Sequence, residues 1–452
     1  MTDTTVADPL RRVAKSERIA ALDVLRGFAI LAILVMNIPI MGGYAGPELN
    51  DPRLVSWTAA DQAVFQGVRL VLDGTQRALL ELLFGAGVMI MTRAAMRPDG
   101  PVAVADLHFR RNLWLMVIGA FQALVLFWPG DVLLPYGLVA IFVFPFRTLA
   151  PRLKAALGVA FILVAITPGA IEYHERTELK ATAAAAQAKV AAKTPLTKVE
   201  REKLDEWTKK VDRLKPAAEN PKKREAMAEE KKARLGSLAA YAKFTRDFWI
   251  SFNFVGETWF FWAEIFGTML LGAALFEWGV LQSRLSAGAY LAILVAGYGL
   301  GVTARHIGNM EYLRFRPDPK SYWITLDIAR IALTLGHVAL FNLALKSGFG
   351  RVLLSPFQAT GKMPLTTYLG ASLICMVILF PGFGFGLFGK FGWAGLEAIA
   401  LAVMAGQVIF ANLWLRAFET GPLEWVWKSL AYRKAQPFRK LTGPAGAYQP
   451  AE

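Results

Sequence analysis

Long apolar segments alternate with short polar connections along almost the whole chain. A membrane crossing needs about 20 predominantly apolar residues, and about ten segments approach this length. They lie at residues 21–41, 76–94, 111–129, 131–149, 154–172, 256–277, 285–304, 322–345, 363–381 and 394–416. The pattern therefore predicts an all-α polytopic membrane protein with about ten transmembrane helices.

One long interval, residues 173–246, departs from this pattern because it is rich in Ala, Lys and Glu and is interrupted by prolines. Such a composition predicts helices joined by proline-containing breaks. We therefore expect a charged helical insert between an N-terminal membrane half (1–172, five spans) and a C-terminal half (247–452, five spans and a basic tail). The insert is either a solvated helical hairpin or a docking arm for an acidic partner or lipid headgroups.

Composition and charge add to this assignment. The chain is 55% hydrophobic and carries a formal net charge of +15. This charge does not indicate nucleic-acid binding, because Lys and Arg of membrane proteins gather in cytoplasmic loops and near anionic lipids. Their distribution predicts that both termini lie in the cytoplasm and that the insert lies on the outer side of the membrane. The single Cys and four widely spaced His predict neither a disulfide nor a bound metal.

The first apolar segment, ALDVLRGFAILAILVMNIPI, carries three polar residues on one helical face. At about 100° per residue, Asp23, Arg26 and Asn37 lie within roughly 60° of one another. Polar side chains in a membrane are costly, so this face should turn toward protein or water. The alternative is a charged helix start combined with an interfacial Asn.

The second and third segments hold further candidates. In TQRALLELLFGAG, Arg77 and Glu81 stack four residues apart, either as a charge-paired packing element or as part of a site. The third segment begins with Arg110 and Arg111 and has Gln122 at its middle.

The turn after the third segment leads to Asp131 and then Tyr136. A buried Gln and an Asp at a helix start can both be structural, as a packing residue and as an N-cap.

The C-terminal half contains two further polar blocks. GKMPLTTYLGASL carries Lys362, Thr366 and Tyr368, and GPLEWVWKSLAYRK carries Glu424 beside two tryptophans. In the structural interpretation these tryptophans are interface anchors.

Together these blocks resemble the YeiB family of bacterial inner-membrane proteins, which carries a domain of unknown function, number 418. The resemblance rests on LDVLRGFAILAILVMNI, LLFGAG, GDVLLPYGL, GKMPLTTYL and GPLEWVWKSLAYR, in this order over nearly the whole chain. The insert is covered poorly, and the resemblance implies that it lies on the periplasmic side of a bacterial inner membrane. The family is similar to transmembrane acyltransferases, including acyltransferase family 3 and heparan-α-glucosaminide N-acetyltransferase.

The resemblance implies transfer of an acyl group from cytosolic acyl-CoA, such as acetyl-CoA, to an acceptor beyond the membrane. Arg26, Arg110, Arg111 and Lys362 would then hold the CoA phosphates, since Arg matches phosphate geometry. Catalytic roles would fall to Asn37, Gln122, Asp131 and Tyr136. The remaining polar network comprises Asp23, Arg77, Glu81, Thr366, Tyr368 and Glu424.

The chain departs from the related acyltransferases at the expected base. Many YeiB relatives have a histidine in the third span, and this chain has Gln122 there. Gln cannot accept a proton, so the base is a carboxylate such as Asp131, or His306 or His337, or the protein transfers no acyl group.

Three functions therefore stay open: an acyltransferase, a transporter or flippase for a small metabolite or lipid-linked molecule, and a non-catalytic scaffold. The expected partners are the bilayer and a small-molecule, glycan or lipid acceptor, with a homodimer as one possible assembly.

Overall fold

The computed structural model describes residues 19–46, 51–92, 102–255 and 258–440, and within these the chain is helical without a β-strand. The helices are α1 (Ala20–Gly42), α2 (Ala59–Val71), α3 (Thr75–Met91), α4 (Val102–Leu124), α5 (Leu133–Val143), α6 (Pro151–Ala191), α7 (Lys198–Arg213), α8 (Pro221–Leu235), α9 (Leu238–Phe254), α10 (Thr258–Glu277), α11 (Ala287–Tyr312), α12 (Tyr322–Lys346), α13 (Gly348–Lys362), α14 (Pro364–Ser372), α15 (Trp393–Ala417) and α16 (Pro422–Tyr432). The predicted all-α membrane class is confirmed.

Within the described residues, six helices are long and apolar enough to cross a membrane: α1, α6, α10, α11, α12 and α15. A seventh crossing is possible where α13 meets α14 and its continuation at a bend of 78°. The predicted count of about ten is not confirmed. Helices do form at three more of the predicted spans, but α3 has 17 residues, α5 has 11, and α4 carries Asp106, Arg110 and Arg111.

Glycines permit the closest helix crossings in the bundle. A Cβ on Gly27 of α1 would lie 1.9 Å from the Phe357 carbonyl oxygen, and one on Gly361 would lie 1.8 Å from that of Asp23. The α3–α10 crossing repeats this arrangement with Gly85 and Gly272. The LRG, GKMP and LLFGAG motifs therefore contain residues that let backbones meet, as small residues do in membrane bundles.

The insert grows directly out of a membrane helix. Helix α6 has 41 residues and runs unbroken through the predicted boundary at 172/173. Helix α7 folds back on its far end, where Lys189 contacts Glu200 at 2.6 Å. We call the end of the bundle that carries α7, α8 and α9 the insert end, and the end near Ala20 and α16 the opposite end.

Helix α2 lies at the insert end and caps α15. Asp61 accepts a hydrogen bond from the Ala394 N–H at 2.9 Å and from the Ser56 hydroxyl at 2.6 Å. Burial by itself raises the pKa of Asp61, but these hydrogen bonds outweigh it and lower the pKa to about 2. Asp61 is therefore ionised at neutral pH, and its negative charge stabilises the N-terminus of α15.

Candidate functional site

The structure gathers five buried polar side chains between α4 and α14, and we call Gln122, Trp128, Asp131, Tyr368 and Ser372 the polar cluster. The Gln122 amide donates to the Ser372 hydroxyl at 2.8 Å, and the Trp128 indole donates to the Tyr368 hydroxyl at 3.2 Å. None of the five side chains is more than 2% exposed. The other end of the Gln122 amide, its Oε1, has no hydrogen-bond partner among the described residues.

The turn after α4 shapes this cluster by folding back into the bundle. The Trp128 N–H donates to the Gln122 carbonyl at 3.2 Å, and Phe127 adopts a positive φ of 58° to make the turn. Asp131 accepts hydrogen bonds from the N–H groups of Leu133 and Leu134, both at 3.0 Å. Asp131 is thus the cap of α5, and each of its oxygens still has a free lone pair.

A second group lies at the opposite end, and we call Arg26 and Arg111 the basic mouth. Arg26 contacts Asp23 at 3.0 Å and donates to the Gly361 carbonyl at 3.3 Å. Arg111 stacks on the Trp427 ring at 4.3 Å and lies close enough to Arg26 for their charges to interact. Two guanidinium groups therefore share one region of the protein.

Helix α4 connects the two groups. Arg111 and Gln122 are 11 residues apart, which is about 16 Å along the helix axis and only about 20° around it. The same face of α4 thus presents a guanidinium at one end and the amide of the polar cluster at the other.

Glu424 and Thr366 join α16 to α14 beside the basic mouth. Glu424 accepts from the N–H groups of Leu365 and Thr366 at 2.5 and 3.0 Å and from the Thr366 hydroxyl at 2.6 Å. The Thr366 oxygen in turn accepts from the Leu423 N–H at 3.2 Å. Each side chain caps the other helix, so this pair fixes the position of α14.

Three other residues predicted to belong to the site make no contact with either group that the described residues show. Arg110 pairs with Asp106 at 2.9 Å. Asn37 and Lys362 are half-buried, and neither side chain makes a hydrogen bond to a residue that the structure describes. Adjacent helical residues point about 100° apart, and this explains why Arg110 and Arg111 have different surroundings.

Tyr136 belongs to a different assembly, the charge network, defined by Arg77, Glu81, Glu264, Asp327 and Arg330. The contacts are Arg330–Glu81 at 3.1 Å, Arg330–Glu264 at 2.5 Å, Arg330–Asp327 at 3.1 Å, Arg77–Glu81 at 3.4 Å, Arg77–Glu264 at 3.0 Å and Tyr136–Glu81 at 3.2 Å. Every charge has an opposite partner, so the network fastens α3, α10 and α12 together. The sequence did not lead us to select Glu264, Asp327 and Arg330 as candidates, although each is a charged residue within an apolar segment.

Sequence reasoning also missed Glu397, the one carboxylate in the apolar run WAGLEAIALAVMAG. It lies near the start of α15 and is 6% exposed, and neither of its oxygens has a hydrogen-bond partner in the part of the chain that the structure describes. A search of the described residues finds no group of three or more side chains that could hold a metal ion.

Comparisons with known proteins agree on one family. Residues 275–434 match the family described as "Protein of unknown function (DUF418)". The chain is 27% identical to the uncharacterized protein YxaH of Bacillus subtilis (strain 168), over 96% of this chain and 99% of YxaH. It is 26% identical to the uncharacterized protein YeiB of Escherichia coli (strain K12), over 93% and 98%. No solved structure matches the chain.

Proposed function

We propose that this chain is a member of the YeiB family, which residues 275–434 and the similarity to YeiB support, and that it is a transmembrane acyltransferase. The observation that carries the proposal is the single face of α4 that joins the basic mouth to the polar cluster. In the proposed arrangement the chain lies in the bacterial inner membrane, with the basic mouth at the cytoplasm and the insert in the periplasm.

The basic mouth has the chemistry to hold an acyl-CoA. Guanidinium groups bind phosphate oxygens through paired, charge-assisted hydrogen bonds. Asp23 offsets part of the Arg26 charge at 3.0 Å, and a pyrophosphate would relieve the repulsion that remains between Arg26 and Arg111 as well as add contacts. Arg110 pairs with Asp106 and lies about 100° around α4 from Arg111, so it contributes little.

The polar cluster has the chemistry for the transfer itself. The acceptor oxygen or nitrogen attacks the thioester carbonyl carbon, the new O–C or N–C bond forms, and the C–S bond breaks. Asp131 takes the acceptor proton on a free lone pair and passes it to the departing CoA sulfur. The Tyr368 hydroxyl and the Gln122 amide stabilise the charge that develops on the carbonyl oxygen.

Calorimetric titration of the detergent-purified full chain with acetyl-CoA and with free CoA tests the donor site. We expect saturable binding that weakens at least about tenfold in Arg26→Ala and Arg111→Ala, since each charge-assisted contact is worth about 1.5–3 kcal/mol. Arg110→Ala is the matched control and should bind like wild type. Absence of binding at millimolar ligand overturns the proposal.

Glu397 favours a second candidate function, cation- or proton-coupled transport of a small metabolite or lipid-linked molecule. An unpaired carboxylate inside a membrane helix is costly and is typical of ion and proton pathways. Proteoliposomes would then show a cation or proton flux that Glu397→Gln abolishes, and this flux would be absent from an acyltransferase.

A further inference from the structure

The insert closes over the end of α1 through one buried arginine. Arg234 of α8 donates to the carbonyls of Ile40 and Met41 at 2.9 Å each and to that of Gly43 at 3.3 Å. These carbonyls are among those that a helix C-terminus leaves without partners, and a cation is favoured there. Arg234 is only 1% exposed, so α8 is packed against α1 and is not a solvated arm.

Two further polar contacts hold α8 in place. Glu230 accepts from the N–H groups of Ala45 and Gly46 at 3.1 and 3.2 Å, and Lys223 pairs with Asp51 at 2.6 Å. Burial by itself raises the pKa of Asp51, but hydrogen bonds from Arg53 and Lys223 outweigh it and lower the pKa. Asp51 is therefore ionised at neutral pH.

Helix α9 covers the turn that carries the polar cluster. The Tyr241 ring packs against Phe127 at 5.3 Å, and Phe127 directly precedes Trp128 of the cluster. The Tyr241 hydroxyl donates to the Met376 carbonyl at 3.2 Å. Phe383 completes the group at 5.5 Å from Tyr241. Aromatic side chains thus separate the cluster from the surface at the insert end.

Both chain segments beneath this cover are irregular helices. Pro39 lies inside α1 one turn before its end, and residues Leu373–Leu379 form a π-helix. Proline removes a backbone hydrogen bond, and π-helical turns often mark functional sites. Arg234 and Tyr241 bind carbonyl groups of these two segments, so α8 and α9 hold in place the parts of the bundle that rearrange at the lowest cost.

We propose that α8 and α9 form a lid over the polar cluster, closed by Arg234 and the Asp51–Lys223 pair. The lid opens at the insert end to admit a hydroxyl- or amine-bearing acceptor, an assignment that rests on the proposed acyl transfer. The lid itself follows from the contacts of α8 and α9 alone.

The chain contains its own reporter of lid opening. Cys375 is its single cysteine and lies fully buried in the π-helix beside Tyr241, so we expect it to react with a maleimide only when the cover moves. We expect slow labelling of the wild-type full chain. Arg234→Gln and Asp51→Asn should each accelerate labelling about tenfold, because each removes hydrogen bonds that only the closed state makes.

Two controls separate lid opening from other effects. Lys243→Ala removes an exposed pair with Asp247 on the same helix α9 and should leave the labelling rate unchanged. Gly85→Ala weakens a helix crossing away from the lid and shows how far a loss of overall stability alone accelerates labelling. Labelling of Arg234→Gln that is no faster than that of Gly85→Ala, compared at the same distance below their unfolding temperatures, would overturn the lid. Unchanged labelling in both Arg234→Gln and Asp51→Asn would overturn it too.

Calorimetry distinguishes failure of the lid from failure of the acyl-transfer proposal. Arg234→Gln lies far from the basic mouth and should bind acetyl-CoA like wild type. Normal CoA binding with unchanged labelling rejects the lid alone. Accelerated labelling in a protein that binds no CoA rejects the acyl donor and keeps the lid.

Discussion

Two buried carboxylates in the same bundle have opposite surroundings, and this contrast determines how each affects the stability of the protein. Glu81 is fully buried, with one oxygen 3.1 Å from Arg330 and the other 3.4 Å from Arg77. Glu397 is nearly as buried, and neither of its oxygens has a partner among the residues that the structure describes. Removing one member of a buried ion pair leaves an uncompensated charge, whereas replacing an unpaired buried carboxyl group removes an ionisable group that burial penalises.

We therefore expect opposite effects from the same substitution. Glu81→Gln should lower the free energy of unfolding by about 3–5 kcal/mol, the range for breaking a buried ion pair. Glu397→Gln should leave stability unchanged or raise it. Thermal unfolding of both variants in one detergent measures the difference. A large loss of stability in Glu397→Gln would show that this carboxylate has a partner.

Sequence reasoning reaches only part of the residue-level picture. The four-residue spacing of Arg77 and Glu81 places them on one face because they share a helix. Arg330 and Glu264 come from other helices, and no spacing rule relates them to Glu81. The polar cluster likewise joins Gln122 to Ser372, which are 250 residues apart in the chain. Such contacts depend on tertiary packing and could not be predicted from a single sequence.

At the scale of elements, the LLFGAG motif offers a matched pair of glycines. A Cβ on Gly85 would lie 1.9 Å from the Met269 carbonyl oxygen, whereas one on Gly87 would meet nothing within 4 Å. Both residues lie in α3 with ordinary helical backbone. The motif therefore contains one glycine required by a helix crossing and one that the described neighbours leave unconstrained.

Gly85→Ala should separate α3 from α10 and destabilise the protein by about 1–3 kcal/mol or more, as overpacking does. Gly87→Ala should be neutral or slightly stabilising, because Ala favours a helix by up to about 1 kcal/mol over Gly. Unfolding in a mild denaturing detergent compares the two. If both variants lost the same stability, the α3–α10 crossing would not be the cause of the loss.

The boundaries of elements were less predictable than their helical type. Sequence places a domain boundary at 172/173, but Ala, Lys and Glu are strong helix formers, so nothing in the insert stops α6 before Ala191. The turn that carries Asp131 folds back into the bundle because of Trp128, a contact that hydropathy does not show. Hydropathy predicts which segments are apolar but not how they pack.

For the whole molecule, the docking of the insert is the largest difference from the sequence expectation of a hairpin or arm. Arg234 lies 191 to 194 residues from the α1 carbonyls that it binds. A Lys- and Glu-rich segment is usually solvated, and nothing in its composition indicates that Lys223, Glu230 and Arg234 are buried. The membrane class, in contrast, follows from composition and segment length alone.

The side of the membrane on which each end lies is the remaining prediction at this scale. Lys and Arg in the short connections predict that the basic mouth lies in the cytoplasm and the insert outside. In a Cys375→Ser background, Lys193→Cys marks the exposed turn of the insert and Lys434→Cys marks the exposed tail. An impermeant maleimide should label position 193 in intact cells and position 434 only after permeabilisation. The reverse pattern would put the basic mouth outside, where no acyl-CoA is available, and the proposed direction of transfer would fail.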